Sequence, residues 1–459
     1  MEYISTRNTK KTFSFKDVFL KGLAPDGGLF VPKEIPKYSF EELTKLRNLN
    51  YKELAAKIIF KFCGGEFSEN EIEELLNRSY KNFRTKNIVE IQKIENVYLL
   101  ELFHGPTLAF KDIAMQIIGN MYEKILEKNN LKVNIVVATS GDTGAAAIDA
   151  IKDRKNMKIF VLHPNKKISD VQRKFMTTVS SKNVFNIALD GNFDDCQKIV
   201  KTMFANKDFS NSINMSGVNS INWSRIIFQT IYYFFSYFQI VKKNEKINFS
   251  VPTGNFGNIY AGYIAKKMGL PIDKLIIANN KNDILNRVVT TGVYKPLKVE
   301  HTLSPSMDIQ VASNFERLVF DICSCNADRI IKLMQELNEK KEFKLKEEEV
   351  KKIQESFQSE SINENETKSI IEKLYKSQNI LIDPHTAVGF GASNKISLKG
   401  HVVVLGTAHP SKFFEAVFKE TGVKPELPDS LKKILNEKEE YEKLPNNIQN
   451  VQNYILQKV

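Results

Sequence analysis

The sequence predicts an α/β protein built on largely parallel β-sheets. Between residues 133 and 405, short runs of β-branched and other apolar residues alternate with stretches of helical periodicity, which is typical of β-α-β units. Several of these runs lead directly into clusters of Gly, Ser and Thr, and ligands of open α/β sheets bind at the carboxyl ends of strands. Because 459 residues exceed one ordinary domain, we expect two or three units around a cleft.

Residues 1–95 predict a compact N-terminal unit of short helices around a turn-rich stretch at residues 22–32. In that stretch Asp26-Gly27-Gly28 indicates a tight turn, because glycine adopts positive φ without a steric penalty. We expect residues 96–128 and 222–459 to form a large α/β domain and residues 129–221 to form a small one.

Beyond the N-terminal unit, the apolar pattern predicts strands and helices in turn. Strands are expected at residues 133–138, 158–162, 184–189, 247–251, 274–279 and 401–405. The apolar run at residues 226–241 is interrupted by polar residues and falls short of the roughly 20 residues of a membrane span, so it predicts a buried helix. Residues 327–380 predict surface helices, and the tail after Pro425 repeats their pattern.

The segment at residues 102–112 places a lysine in apolar surroundings. Gly105-Pro106 interrupts the chain, and Lys111 is predicted to begin a helix that runs through Met121. The apolar neighbours disfavour the charged ammonium form, which lowers the pKa of the amine and makes it a nucleophile for Schiff-base formation. The alternative is a lysine whose amine reaches solvent.

Two loops that follow predicted strands have the composition of anion sites. The loop from Gly254 to Asn258 precedes a predicted helix at residues 260–268, so its unpaired backbone N–H groups and the helix dipole would face a phosphate. In residues 138–145, backbone N–H groups and the hydroxyls of Ser140 and Thr143 would suit a carboxylate. A tight turn and a helix cap are the structural alternatives.

Composition excludes several classes of protein. Apolar residues make up 42% and charged residues 26% of the chain, as in globular proteins. The formal charge of +12 comes from lysines interleaved with glutamates, so we expect neither a nucleic-acid nor a membrane partner, although a positive surface would attract an anionic substrate. Four scattered cysteines predict a reducing compartment and no metal site, and the polar residues 1–11 predict no signal peptide. We therefore expect a cytoplasmic protein, with an organelle matrix as the alternative.

Segments along most of the chain resemble the threonine synthase family, in the order that the family shows. They are residues 3–7, 24–32, 103–112, 139–145, 219–225, 252–258, 303–309, 383–388 and 406–410. The resemblance spans about residues 3–415. One departure is Asn8, where the family usually has Gly after Ser-Thr-Arg.

The resemblance implies an enzyme of pyridoxal phosphate (PLP) fold type II, similar to the tryptophan synthase β subunit, with two parallel-sheet α/β domains around a cleft and an N-terminal unit. Such an enzyme converts O-phospho-L-homoserine and water to L-threonine and phosphate. Lys111 would carry PLP as a Schiff base and act as the catalytic base. The hydroxyl of Thr407 would meet the ring nitrogen. The residues implied for the cofactor phosphate are Gly254, Asn255, Phe256, Gly257 and Asn258.

The resemblance also implies how the substrate is held. Its carboxylate side would lie against Ser140, Gly141, Asp142 and Thr143, and its phosphate against Asn219, Ser220 and Arg225. A guanidinium suits phosphate because it forms two parallel charge-assisted bonds. Asp142 stands where many fold-type II enzymes have Asn, and an ionised Asp only accepts hydrogen bonds, so its partner stays open. Three histidines flank the motifs and are expected to brace loops: His104, His385 and His409.

Two alternative functions stay open on the sequence. A phospho-lyase that resembles threonine synthase would share the early steps but release 2-oxobutyrate, ammonia and phosphate. A nucleotide-binding or regulatory module would use the loop from Gly254 to Asn258 without catalysis, and would leave Lys111 and Thr407 without a purpose. The sequence is compatible with a monomer or a homodimer.

Overall fold

The computed structural model describes residues 1–242 and 245–459, and it has the predicted α/β architecture. The strands are β1 (Tyr3–Ser5), β2 (Asn8–Phe13), β3 (Phe30–Pro32), β4 (Glu90–Ile94), β5 (Val97–Glu101), β6 (Val133–Ala138), β7 (Met157–Pro164), β8 (Val184–Asp190), β9 (Met215–Ser216), β10 (Ile247–Pro252), β11 (Ile272–Asn279), β12 (Val293–Tyr294), β13 (Phe343–Lys344), β14 (Phe357–Ser361), β15 (His401–Gly406) and β16 (Glu442–Pro445). The helices are α1 (Phe15–Lys21), α2 (Phe40–Leu46), α3 (Tyr51–Cys63), α4 (Glu69–Ser79), α5 (Lys111–Asn129), α6 (Asp142–Ile151), α7 (Asp170–Thr177), α8 (Phe193–Ala205), α9 (Lys207–Ser212), α10 (Trp223–Ile240), α11 (Gly257–Lys267), α12 (Ile284–Thr291), α13 (Phe315–Ile322), α14 (Ala327–Lys340), α15 (Glu347–Ser356), α16 (Glu364–Gln378), α17 (Pro384–Lys395), α18 (Phe414–Thr421) and α19 (Ile448–Lys458).

The N-terminal unit combines a small antiparallel sheet with α1 to α4. The strand order is β2-β1-β3. The predicted turn is present: Gly27 has φ of +79°, and its N–H donates to the carbonyl of Ala24 at 2.9 Å. Arg7 anchors the unit to α13 through an ion pair with Glu316, in which Nη2 and Oε2 are 2.7 Å apart.

The larger sheet positions most of the loops that the sequence singled out. Its order is β14-β11-β10-β15-β5-β4, and every pairing is parallel except that of β4 with β5. All six residues of β10 are buried, as expected of a central strand covered on both faces by helices. The carboxyl end of β10 leads into the Gly254 loop, and that of the neighbouring strand β15 leads into Thr407, so the two lie side by side.

The smaller sheet has the order β16-β8-β7-β6-β9, and all of its strand pairings are parallel. The carboxyl end of β6 continues through Thr139-Ser140-Gly141 into α6, which packs against α5 of the other unit. The third predicted loop is therefore carried toward the helix that begins at Lys111.

Helix α10 confirms the buried helix that the apolar run at residues 226–241 predicts. Of its residues only Gln239 is exposed, and it packs between α3, α5 and α11. Among the helices of residues 1–242 and 245–459, none has the length and apolarity needed to cross a membrane.

Two sequence predictions need correction. Helices do not fill residues 327–380, because Phe357–Ser361 forms β14, the edge strand of the larger sheet. The tail is not a simple set of surface helices either: Glu442–Pro445 pairs with β8 of the smaller sheet, and α19 packs against α8. The predicted domain limits assign residues 222–459 to the large domain, whereas this last segment returns to the smaller sheet.

Candidate active site

A cavity of about 770 Å³ lies where the three predicted loops meet. It is lined by nearly all the residues that the sequence predicts for a site: Lys111, Ser140, Asp142, Thr143, Asn219, Ser220, Arg225, the loop from Gly254 to Asn258, and Thr407. Gly141 does not itself line the cavity. A Cβ atom at its position would meet the side chain of Gln172 at 2.9 Å. The fold thus brings together groups separated by nearly 300 residues.

Lys111 owes its position to a short pairing between two chain segments. The N–H of Phe110 donates to the carbonyl of Thr407 at 2.9 Å, and the N–H of His409 donates to the carbonyl of Leu108 at 3.0 Å. Leu108 has φ of +63°, which turns the chain into the start of α5. These contacts bring Thr407 next to the segment that carries Lys111.

The side chain of Lys111 is 11% exposed, and its amine lies beside one carboxylate and two cations. Its Nζ lies 3.3 Å from Oδ2 of Asp142. Burial lowers the pKa of Lys111, the Asp142 carboxylate opposes this shift, and the charges of Lys412 and Arg225 add to the lowering. A larger fraction of the amine is therefore neutral and nucleophilic than for an ordinary lysine.

The partners of Asp142, which the sequence leaves open, are now defined. Oδ1 accepts hydrogen bonds from Nζ of Lys412 at 2.6 Å and from Nε2 of Gln172 at 2.9 Å, while Oδ2 faces Lys111 and Oγ of Ser306. Burial by itself would raise the pKa of Asp142, but the ammonium groups of Lys412 and Lys111 outweigh it and hold the pKa well below the usual range. Asp142 is an ionised acceptor whose charge is balanced by lysines.

The loop before α6 is held by a residue that sequence reasoning missed. Oγ1 of Thr139 accepts hydrogen bonds from the N–H groups of Gly141 and Gly144, both at 2.9 Å. The hydroxyls of Ser140 and Thr143 are then free to line the cavity. Thr139 is the first of four polar residues at positions 139–143, and the spacing alone did not indicate which of them would bind the backbone.

The loop after β10 has the geometry of a phosphate cradle. A Cβ atom on Gly254 would lie 2.8 Å from the carbonyl oxygen of Ser306, so the close approach of backbone to backbone requires glycine. The side-chain oxygen of Asn258 accepts from the hydroxyls of Tyr232 at 2.6 Å and Tyr233 at 3.0 Å. Its Nδ2 is buried and has no hydrogen-bond partner in residues 1–242 and 245–459. An unsatisfied donor beside the start of α11 fits an anion.

Arg225 is a buried cation that also fits an anion. It lies in the first turn of α10 and is 3% exposed. Nη1 donates to the carbonyl of Val218 at 3.5 Å, and Nε has no partner within the part of the chain that the structure describes. Burial lowers the pKa of Arg225 to about 10, so the guanidinium stays charged at neutral pH.

The three histidines near the motifs brace loops, as predicted. Nε2 of His385 accepts from the N–H of Ser306 at 3.2 Å, so its proton lies on Nδ1, 2.8 Å from Oδ1 of Asp383. Nδ1 of His409 accepts from the N–H of Ser411, and Nε2 of His104 lies 2.8 Å from Glu101. In the described ranges no group of His, Cys, Asp and Glu side chains is placed to hold a metal ion.

Comparison with known proteins gives one consistent result along the whole chain. Three family patterns match: threonine synthase N terminus over residues 2–80, pyridoxal-phosphate dependent enzyme over residues 83–343, and threonine synthase, C-terminal, over residues 386–455. The threonine synthase of Pseudomonas aeruginosa is 41% identical over 100% of this chain and 98% of its own length. The crystal structure of PLP-bound threonine synthase from Brucella melitensis is 42% identical with a TM-score of 0.96, covering 100% of this chain and 99% of that one.

A protein called threonine synthase-like 2 from Mus musculus is also similar. It is 35% identical over 93% of this chain and 90% of its own length, which is less than the identity to the Pseudomonas relative.

Proposed function

The chain belongs to the threonine synthase family, and from this premise we propose the roles of the residues that line the cavity. Its function is the PLP-dependent conversion of O-phospho-L-homoserine and water to L-threonine and phosphate. The enzyme is a lyase that breaks a carbon–oxygen bond to phosphate, and its substrate is a small molecule.

PLP is the cofactor, and the residues of the cavity fit it. The loop from Gly254 to Asn258 and the start of α11 would hold its phosphate, which is supported by the unsatisfied Nδ2 of Asn258. The hydroxyl of Thr407 would meet the ring nitrogen. When bound, PLP supplies an electron sink for negative charge that develops at the substrate carbons.

Lys111 has two roles in this proposal. Its amine would hold the cofactor, and when it is free the same amine would remove the proton from the substrate Cα and move protons at Cβ. The surroundings of the amine support this, because burial and the charges of Lys412 and Arg225 lower its pKa, and a lower pKa leaves more of the amine neutral and free to accept a proton.

The substrate is held at both ends by opposite parts of the cavity. Ser140, Gly141 and Thr143 would bind the carboxylate through hydroxyls and backbone N–H groups. For Asp142 we propose that it pairs with Lys111 and Lys412, instead of binding the substrate carboxylate as the resemblance implied. An ionised Asp142 would repel a carboxylate, and its contacts are with Lys111 and Lys412.

The leaving phosphate would lie against Asn219, Ser220 and Arg225. All three line the cavity, and Arg225 brings a buried charge whose Nε has no partner among the described residues. A phosphate would satisfy that guanidinium with charge-assisted hydrogen bonds.

The observation that carries the function is a buried Lys111 amine in one cavity with a phosphate-type loop and Arg225. The test is to incubate the purified protein with PLP and O-phosphohomoserine and to quantify threonine, 2-oxobutyrate and phosphate. Threonine and phosphate in equal amounts are expected. Borohydride reduction in the presence of PLP, followed by peptide mapping, should label Lys111.

Two results would contradict the proposal. Release of 2-oxobutyrate and ammonia as main products would favour the phospho-lyase, and a colourless protein or a label on another lysine would contradict the assigned cofactor residue. We further propose that the enzyme is cytoplasmic and is a monomer or a homodimer. For its domains we propose a large one of residues 96–128 and 222–459 and a small one of residues 129–221, except that the C-terminal segment from Glu442 packs with the small domain.

A further inference from the structure

Lys412 is a buried lysine behind the lining of the active site, and neither the sequence motifs nor the reaction assigns a role to it. It is 1% exposed, and buried lysines are rare unless they are paired. Its Nζ lies 2.6 Å from Oδ1 of Asp142 and donates to the carbonyl of Thr107 at 2.8 Å. The amine also lies 5.5 Å from the ring centre of Phe175. These contacts fix the ammonium group against the same carboxylate that Lys111 meets from the other side.

The arrangement is a row of three charges in which Asp142 is shared. With Asp142 as its only charged neighbour, Lys111 would be held as an ammonium ion and would be a poor nucleophile. A second cation on the carboxylate weakens that hold, and a neighbouring cation is a known way to activate a lysine for Schiff-base chemistry.

We propose that Lys412 is a positioning residue for the threonine synthase reaction, which fixes and neutralises the Asp142 carboxylate so that Lys111 stays available to capture PLP and to accept a proton. The inference rests on the proposed function, because it assumes that Lys111 is the residue that binds PLP. Lys412 itself does not line the cavity, so it acts indirectly, by pairing with Asp142 and by the effect of its charge on Lys111.

The charged groups around the two lysines determine whether the pKa of Lys111 rises or falls when Lys412 is replaced. Lys111 is faced by Asp142, Lys412 and Arg225. Lys412 is faced by Asp142 and Lys111, and its charge also acts on Asp112 and His409. Removing the Lys412 charge takes one cation away from Lys111, so the pKa of Lys111 should rise.

The test is the pH dependence of PLP capture by the apo-protein, followed by visible absorbance and by borohydride trapping on Lys111. In Lys412→Met the apparent pKa of the capture rate should rise by about 1 unit or more, the size of shift that a nearby charge causes. Near pH 7.5 that shift slows capture by about tenfold. Lys267→Met, which removes a lysine paired with Asp321 at 3.1 Å outside the cavity, should leave the profile unchanged.

A second pair of variants covers the case in which Lys412→Met does not fold because Asp142 is left as an unpaired buried charge. Asp142→Asn and Asp142→Asn/Lys412→Met avoid that charge, and the double variant should again have the higher apparent pKa of the two. An unchanged profile in folded variants, with only a lower melting temperature, would show a purely structural ion pair and overturn the inference. If the wild-type protein captures no PLP on Lys111, the proposed function itself fails, which is a separate result.

Discussion

At the scale of single residues, Arg225 is a buried cation in the lining of the cavity, with a donor that is unsatisfied among the described residues. The guanidinium is charged and 3% exposed, and its Nε is unsatisfied within residues 1–242 and 245–459. Leaving such a donor buried is unfavourable, which supports the proposed contact with the substrate phosphate.

Arg225→Lys should weaken binding of the substrate phosphate, because a lysine keeps the charge but cannot form two parallel bonds. The expected loss in kcat/KM is about 10- to 100-fold, from a lost charge-assisted hydrogen bond of about 1.5–3 kcal/mol. Steady-state kinetics with O-phosphohomoserine measures it. Arg329→Lys is the matched control, since Arg329 is paired with Glu349 away from the cavity. Equal effects of the two substitutions would contradict the assignment.

Asp112 is a buried carboxyl group whose titration should affect stability. It accepts hydrogen bonds from the N–H and hydroxyl of Thr107, yet burial raises its pKa from 3.8 to about 6. Between these two values the folded protein keeps a proton that the unfolded chain has lost, so the contribution of Asp112 to stability is full below about pH 4 and is lost as the pH rises through about 6.

Asp112→Asn should therefore change the pH dependence of unfolding. Relative to the variant, the wild-type protein should lose up to about 3 kcal/mol of unfolding free energy between pH 4 and pH 7, from a shift of about two pKa units. Urea unfolding of both proteins across that range measures the difference. A constant difference in unfolding free energy between wild type and Asp112→Asn across that range would refute the expectation.

The site could be predicted from sequence where its residues are close together in the chain. Lys111 and the Gly254 loop were singled out from short local patterns, and the resemblance of those segments to one family implied their roles. Lys412 and Gln172 were missed because their roles depend on a contact with Asp142, 270 and 30 residues away, that only the fold creates. In a chain with 66 lysines and arginines, nothing local distinguishes a buried lysine from a surface one.

At the scale of elements, the six expected strands are present, but others, among them β5 and β14, were not predicted. The strand expected at residues 133–138 is β6, and the others expected were recovered with ends that differ by one or two residues. Strand β14 was missed because Phe357 is its only apolar residue, so it lacks the alternation that indicates a strand. As an edge strand it pairs on one side, with β11, and its polar side chains tolerate that position.

Gly254→Ala tests the loop that β10 leads into. The added Cβ would lie 2.8 Å from the Ser306 carbonyl oxygen and 3.2 Å from Cα of Met307, and backbone atoms cannot give way cheaply. The loop should move, and PLP affinity should fall by about tenfold or more, which corresponds to about 1.4 kcal/mol. Titration of apo-protein with PLP measures it. Gly65→Ala, in the N-terminal unit with no atom within 4 Å, should change stability through its φ of +89° but leave PLP affinity unaltered.

At the scale of the whole molecule, the C-terminal segment joins the two sheets. After the larger sheet is complete at β15, the chain returns to the smaller one, where β16 pairs with β8. On the way, Glu439 accepts hydrogen bonds from Nε and Nη2 of Arg173 at 2.7 and 3.0 Å. Arg173 follows Gln172 on α7, so the segment supports the helix that holds Asp142. Charged, weakly apolar stretches of this kind do not indicate from sequence which sheet they will join.

Helix α19 allows a direct test of whether the C-terminal segment packs on the smaller sheet, because two of its neighbouring residues differ in burial. Ile455 is 0% exposed within the core beneath the smaller sheet, and Leu456 is 51% exposed. Ile455→Ala should lower the unfolding free energy by about 2–5 kcal/mol through the lost apolar contacts and the cavity left behind, whereas Leu456→Ala should change it by less than about 0.5 kcal/mol. Chemical unfolding followed by circular dichroism compares the two.

Because Lys111 and the Gly254 loop belong to the other unit, folded Ile455→Ala should still capture PLP on Lys111. Similar stabilities of the two variants would mean that α19 is not docked on the smaller sheet, and the C-terminal segment would then not support α7.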